Sequence, residues 1–395
     1  MARHRTTTTA RSEEEVRLAA LAAVAGKSKA FRPAREVLKL VRSVPTIFPS
    51  VDLAMRVGGW PIDRVALIHG PSAAGKSMLS SGVGLSFLKR GHFFKMIDAE
   101  RTTPMDWVEE LFKAYADHPG FSALRPKTYE DAVAEVREWA TTIGNAKAKG
   151  ILPKDVTGFA VVDSVRKLIP KAFFDKIVKT VADDDAKKKG TRVNAKSAKA
   201  TGIDGFGGRG AQMKAHLHAL WLDELTGLLD DTGTAMGLIT REHEDTEADF
   251  RDKLAGRDFK VGGGIALVYD SSMLVRVERG WVWGPGKEGE KTPVYGESHK
   301  VTIRKSKVAG MQDREEVGWF CTSNGVLVPA GFDTARDVLR IGKKLGVIKG
   351  DAWLSWHKNR WQGEHRAVVA LTKNAAMLAE IEREVRAAMD EERAA

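Results

Sequence analysis

The chain has 395 residues, of which 43% are hydrophobic and 29% charged, with a formal net charge of +11. A chain of this length and mix buries a substantial core and needs no disulfide or metal staple. Its single cysteine, Cys321, excludes an internal disulfide and suits a reducing cytoplasm; no apolar leader is visible, and no run of about eighteen apolar residues is present to span a membrane.

Residues 1–10 are polar and rich in threonine and predict no element. Ser12 to Glu15 reads Ser-x-x-Glu, a capping-box pattern, ahead of Val16, Leu18, Leu21 and Val24, which predicts a first helix. A second helix is expected over Pro33–Arg42, and Pro45 closes a segment, 1–45, too small to hold a core of its own. The main core is expected over 46–328. Val65–His69 predicts a short buried strand, Lys76–Lys89 a helix, and Phe93–Ile97 a strand ending at Asp98. Trp107–Tyr115 and Tyr129–Ile143 predict helices, and Gly158–Val162 a strand ending at Asp163. Ala211–Leu229 has helical spacing through Met213, Leu217, Leu220 and Leu225, and Ala235–Thr240 predicts a fourth strand. Leu267–Val277 and Lys300–Arg304 are further strand candidates. This alternation predicts an α/β fold with a mostly parallel twisted sheet covered on both faces. Two stretches, 171–210 and 241–264, break the pattern as long loops, which inside a compact domain are commonly functional. The C-terminal part, 329–395, is largely helical and Trp-rich and predicts a small separate α+β domain. Its last helix starts near Asn374, with Met377, Ile381, Val385 and Ala388 on one face.

The sharpest motif is Gly70-Pro71-Ser72-Ala73-Ala74-Gly75-Lys76-Ser77, which fits G-x-x-x-x-G-K-[ST] between a strand and a helix. Glycines let backbone N–H groups curl round phosphates, Lys76 can reach the terminal phosphates, and the Ser77 hydroxyl can ligate Mg²⁺. These features predict ATP and Mg²⁺ binding. Phe159-Ala160-Val161-Val162-Asp163 is four apolar residues and an acid at a strand's C-terminal end, which suits Asp163 to orienting the metal. Asp98-Ala99-Glu100 puts further carboxylates at a neighbouring strand end, where one can polarise an attacking water or simply be a solvated terminus. Lys187, Lys188, Lys189, Arg192, Lys196 and Lys199 form a basic run without an acid, followed by a glycine-rich stretch with Arg209; flexible cations of this kind suit a nucleic-acid backbone, as does the basic balance of the whole chain. His216, His218 and His243 have no metal-binding spacing and read as ordinary surface or core residues.

Together these segments resemble the bacterial RecA family over most of the chain. Val44-Pro45-Thr46, Ser50 to Ala54 and Gly58-Gly59-Trp60-Pro61 look like the family's lead-in to its phosphate loop, which maps to Gly70–Ser77 with Met78 following. The resemblance implies a catalytic glutamate at Glu100, an aromatic against adenine at Trp107, and a metal-orienting acid at Asp163 within Val161 to Val165. Gly262-Gly263 resembles the end of the family's second DNA-binding loop. Val301 to Lys307 resembles a strand whose lysines, here Lys305 and Lys307, reach the ATP of a neighbouring protomer. The implied activity is a DNA-dependent ATPase that assembles into helical filaments on single-stranded DNA and pairs it with double-stranded DNA, the N-terminal segment packing on the adjacent protomer. An ATP-binding recombination regulator without strand exchange and a hexameric helicase on the same core are the alternatives. The chain departs from the family in four places. Arg241 stands where the family has a phosphate-sensing glutamine. The first DNA loop is longer and basic. The second opens with Glu242, Glu244, Asp245, Glu247 and Asp249, which would repel a DNA strand if they faced it. The acidic tail is reduced to Asp390–Ala395.

Overall fold

The structure, a computed structural model, describes residues 13–26, 40–175, 207–245, 247, 259–283, 296–309, 314–316, 320–322 and 331–394. The chain divides into two units, Met1–Val41 and Arg42–Ala395. In the first, α1 (Glu13–Ala25) is the helix announced by the capping pattern, and its Val16, Leu18, Leu21 and Val24 are exposed. The helix expected over Pro33–Arg42 lies outside the described residues up to 39, and residues 40–42 are not helical.

The second unit opens with β1 (Ser43–Val44), α2 (Pro49–Met55), β2 (Trp60–Pro61), β3 (Val65–His69), α3 (Lys76–Lys89) and β4 (Phe93–Asp98). There follow α4 (Met105–Phe112), β5 (Phe121–Leu124), α5 (Tyr129–Ala148), β6 (Gly158–Asp163), α6 (Gly207–Thr232) and β7 (Ala235–Ile239). Next come the short pair β8 (Glu242–Glu244) and β9 (Phe259–Val261), then α7 (Ile265–Asp270), β10 (Met273–Trp283) and β11 (Gly296–Ser306). Three short strands, β12 (Arg314–Glu316), β13 (Phe320–Thr322) and β14 (Gly331–Phe332), precede α8 (Thr334–Lys344), the hairpin β15 (Trp353–Trp356) and β16 (Asn359–Gln362), α9 (Gly363–Lys373) and α10 (Ala375–Ala394).

Among the described residues, ten strands form one sheet in the order β14-β13-β11-β10-β3-β7-β6-β4-β5, with β12 also on β11. From β10 to β5 neighbouring strands are parallel, and β11, β13 and β14 extend the sheet antiparallel. Strand residues alternate between two cores. Ala66, Ile68, Phe159 and Val161 pack with Phe48, Leu79, Val83 and Phe87 on one face. Val65, Leu67, Ala160 and Val162 pack with Tyr129, Val136, Trp221 and Leu225 on the other. Strands apolar on both faces are what a parallel sheet between helix layers requires. The start of α5 is fixed by a capping box, Thr128 accepting from Asp131 N while the Asp131 carboxylate accepts from Thr128 N.

The strand expected over Leu267–Val277 is half wrong. Residues 265–270 are helical, and β10 begins only at Met273. Gly263 and Gly264 hold φ of 109° and 101°, turning the chain into α7, and Leu267 is its one buried residue. One-sided burial suits a short surface helix, and the apolar run Ala266 to Val268 could not distinguish it from a strand. In the C-terminal part, β15 and β16 form a hairpin, the strand component of the expected α+β region; Leu354 and Trp356 point inward and Trp353 outward, the period of a strand. A third apolar cluster joins Val338, Leu339, Leu354, Leu371, Ile381 and Val385 with Leu53 of α2. Beside it the buried Asp52 accepts from Thr46 N and, at 2.8 Å, from Arg386 of α10.

Candidate nucleotide-binding site

The loop after β3 leaves the sheet at its carboxyl end, between β10 and β7, where open α/β sheets bind ligands. Gly70 has φ of 149°, and a Cβ there would sit 2.1 Å from the Val277 carbonyl, so no other residue fits. Gly75, at φ 91°, turns the chain into α3. The ammonium of Lys76 is folded onto its own loop, donating to Gly70 O at 3.0 Å and Pro71 O at 2.5 Å. Burial lowers its pKa, against the opposing pull of the Asp163 carboxylate. Carbonyls are weak partners for a buried ammonium, so an anion in the loop would be a better one. His299 of β11, which no sequence motif marks, hydrogen-bonds through Nδ1 to Ala74 O at 2.9 Å and so supports the loop.

The acids come from β4 and β6, which are adjacent and in register with Asp98 opposite Asp163. Ser77 Oγ donates to Asp163. Burial raises the Asp163 pKa, the Ser77 hydrogen bond pulls it down, and the Glu100 charge adds to the rise. A hydroxyl and a buried carboxylate sharing a proton contact is a donor pair that a divalent cation suits, since it would relieve the carboxylate's burial. Backbone N–H groups of Ala99 and Glu100 donate to Asp163 O at 2.8 and 3.0 Å, which swings Glu100 across the end of β6. There Ser164 Oγ donates to Glu100 at 3.0 Å, and Arg241, just after β7, donates at 3.2 Å. Asp98 is used otherwise: it accepts from Thr102 N, Thr103 N and Arg125, each at 3.1–3.2 Å, and so braces the turn into α4. Asp98, the last residue of β4, is thus held by the turn, whereas Glu100 is held by Ser164 and Arg241. Trp107 of α4 borders a cleft of about 250 Å³ together with Ser77, Ser80, Met96, Asp98 and Asp163.

Lys305 and Lys307 lie elsewhere. Lys305 pairs across with Leu274, which is level with Leu67 at the middle of β3, and Lys307, whose N donates to Ser272 O, lies further toward the amino end of the parallel strands. Its Nζ donates to Val268 O at 2.8 Å and Tyr269 O at 2.6 Å, and Lys307 Nζ reaches Asp270 O at 3.3 Å, where cations suit the carbonyl end of α7. Gly262 N donates to Arg241 O at 2.9 Å, and Gly263 follows it into the turn before α7. Arg209 lies in the first turn of α6. Lys187, Lys188, Lys189, Arg192, Lys196 and Lys199 fall outside the described residues.

Three acids of the second loop, Glu242, Asp245 and Glu247, are paired with cations of the same chain. Glu242 accepts from Arg276 at 2.8 Å and pairs with His69 at 3.2 Å. Burial alone would raise its pKa, but the His69 and Arg276 contacts outweigh it and take it down to about 2. Asp245 and Glu247 both pair with Lys260 of β9. The expected repulsion of a DNA strand is to that extent cancelled; Asp249 lies outside the described residues. His218 is buried against Tyr129, its pKa lowered by burial to about 4, and His243 hydrogen-bonds to Arg166. Among the described residues no group of three or more His, Cys, Asp or Glu could hold a metal ion, and no helix is long and apolar enough to cross a membrane. Sequence reasoning also missed Arg125, Arg276 and the role of Ser164, none of which forms a recognisable motif with its partner.

No family model matches the chain. Among known proteins it is similar to Protein RecA of Rhodospirillum rubrum, 26% identical over 349 residues, spanning 88% of this chain and 79% of that one. Protein RecA of Aquifex pyrophilus is 28% identical over 348 residues, 88% of this chain and 83% of the relative. Protein RecA of Bacteroides thetaiotaomicron is 24% identical over 360 residues, 90% of this chain and 91% of the relative.

Proposed function

Because this chain is a divergent member of the RecA family, we propose that it is a cytoplasmic, ATP-dependent recombinase that forms helical filaments on single-stranded DNA and pairs it with double-stranded DNA. One arrangement carries this reading. Lys76, Ser77, Asp163 and Glu100 gather at the carboxyl end of the parallel strands, whereas Lys305 is level with the middle of β3 and Lys307 lies beyond it toward the amino end, an arrangement that suits supply of the two lysines by a second copy.

In this mechanism Lys76 exchanges its loop carbonyls for phosphate oxygens. Ser77 and Asp163 would hold Mg²⁺, which would supply charge neutralisation at the terminal phosphates. Glu100 takes a proton from the attacking water, and Trp107 lies along the base. Lys305 and Lys307 of a neighbouring copy stabilise the charge that develops on the γ-phosphate, which ties turnover to assembly. Stretches 187–210 and 241–264, with Arg209, Gly262 and Gly263, hold the DNA. Segment 1–45 serves as the assembly arm, 46–328 as the ATPase core and 329–395 as a small C-terminal domain.

A second reading, an ATP-binding regulator without strand exchange, is favoured by the contact of Arg241 with the Glu100 carboxylate. Both are tested by ATP hydrolysis with and without single-stranded DNA, with Lys76→Ala as the blank. Stimulation by DNA that vanishes in the blank supports the recombinase. Binding of ATP and DNA without stimulation favours the regulator, and absence of nucleotide binding refutes both.

A further inference from the structure

Four consecutive residues leave β7, each tied to a different part of the molecule. Thr240 Oγ1 donates to Gly262 O at 2.7 Å, Glu242 is fixed by Arg276 and His69, and His243 meets Arg166 at 2.8 Å. Arg241 alone of the four has its side-chain partner in the nucleotide site: its Nη2 lies 3.2 and 3.4 Å from the two carboxylate oxygens of Glu100.

One guanidinium nitrogen spans both oxygens of this carboxylate and Ser164 holds one of them, so an attacking water has to displace a contact to reach it. This contact is also easily exchanged. The side chains of Arg241 and Glu100 are 45% and 19% exposed, and ion pairs so open to solvent are weak. A terminal phosphate carries more charge than a carboxylate and offers the oxygen geometry that guanidinium binds well. We infer that Arg241 and Glu100 form a latch that is closed without a terminal phosphate: the γ-phosphate of a nucleoside triphosphate draws Arg241 away and frees Glu100 to act as base, whereas a diphosphate leaves the pair closed. This rests on the ATPase reading above and adds to it a resting state and a residue that distinguishes triphosphate from diphosphate.

The test is a double-mutant cycle on the full chain. Affinities for ADP and for the non-hydrolysable analogue AMPPNP are measured by displacement of a fluorescent nucleotide from wild type, Glu100→Gln, Arg241→Ala and the double variant. Relief of carboxylate–phosphate repulsion by Glu100→Gln is common to both backgrounds and cancels. With the latch, the gain in AMPPNP affinity from Glu100→Gln is about threefold larger with Arg241 present than without it, the order expected of a half-exposed ion pair. Arg241→Ala weakens AMPPNP several-fold and leaves ADP nearly unchanged. Equal gains in the two backgrounds, or equal weakening of AMPPNP and ADP, overturn the latch while leaving ATP binding intact. Arg241→Gln, which keeps the polar reach without the charge, is read the same way should the alanine variant not fold. Wild type that binds neither nucleotide better than Lys76→Ala overturns the latch and the ATPase reading together.

Discussion

Asp337 of α8 is fully buried at the junction between the C-terminal cluster and α2. One carboxylate oxygen accepts from Ser50 N at 3.0 Å, and the other has no partner. Burial, with the neighbouring Asp52 charge adding to it, pushes the carboxyl up to about 7 from an ordinary 3.8. The folded protein thus holds this proton more tightly than the unfolded chain. Its stabilising effect is complete below about pH 4 and is lost as the pH rises through 7. At about 1.4 kcal/mol per pH unit across that gap, ionisation costs about 4 kcal/mol by pH 8, of which about 2.5 kcal/mol is lost between pH 5 and pH 8. Asp337→Asn keeps an acceptor for Ser50 N and cannot titrate. Urea unfolding of both proteins at pH 5 and pH 8 checks the expectation, since every other titrating group is shared and cancels in the difference. Wild type should lose about 2.5 kcal/mol more than the variant over this interval. Equal losses would show that the buried carboxyl is not raised.

Glu100→Gln should keep ATP binding and lower turnover by at least about a hundredfold, the usual contribution of a positioned general base, and near-normal hydrolysis would remove Glu100 from the reaction. Ser164→Ala, which deletes the donor to Glu100, should lower kcat about tenfold with KM little changed, in line with the loss of a hydrogen bond to a charged group; a KM effect alone would place Ser164 in nucleotide binding instead. Lys76→Ala and the double variant Lys305→Ala/Lys307→Ala should each be inactive, yet regain hydrolysis when mixed if the two sets act on one nucleotide from different copies; a mixture as dead as its parts contradicts that division. Arg386→Ala should cost about 3 kcal/mol in urea unfolding, because it leaves Asp52 buried without its cation, and a cost under about 1 kcal/mol would mean that water replaces the guanidinium.

The phosphate loop could be read from sequence because everything that defines it lies within eight contiguous positions between a strand and a helix, and the structure keeps both elements at the expected bounds, Val65–His69 and Lys76–Lys89. The ends of β4 and β6 were legible for a similar reason: buried strands that stop at Asp98 and Asp163 carry a local signal. What local pattern cannot supply is the partner across the fold. Arg241 meets Glu100 over 141 positions, His299 meets the Ala74 carbonyl over 225, and Asp52 finds Arg386 over 334. The acids at 242–247 misled for the same reason. Their sign is visible in sequence, but Arg276 and Lys260, which absorb it, follow only from the pairing of β8 with β9 and the position of β10. The error in element type, α7, falls on a segment of six residues, too short for periodicity to separate helix from strand.

The distance between the two cationic sets bears on how such a protein would couple assembly to turnover. Lys305 is level with Leu67, and the phosphate loop begins three positions later at Gly70. At about 3.3 Å per residue along β3 and about 4.8 Å for each of the two strand spacings across the sheet, the separation of backbones exceeds 10 Å. A lysine side chain is too short to cover this, and both ammonium groups are turned toward the carbonyls at the end of α7. Among the described residues, Lys76 and Arg241 are cations of the candidate site, and Arg241 is bound to the group proposed as the base. On the proposed reading, a single copy would bind nucleotide with its base engaged and without Lys305 and Lys307 at the site. If the neighbour supplies that pair, occupancy of the site and contact between copies are both required before the γ-phosphate charge is balanced, and hydrolysis by an isolated chain is suppressed by geometry alone.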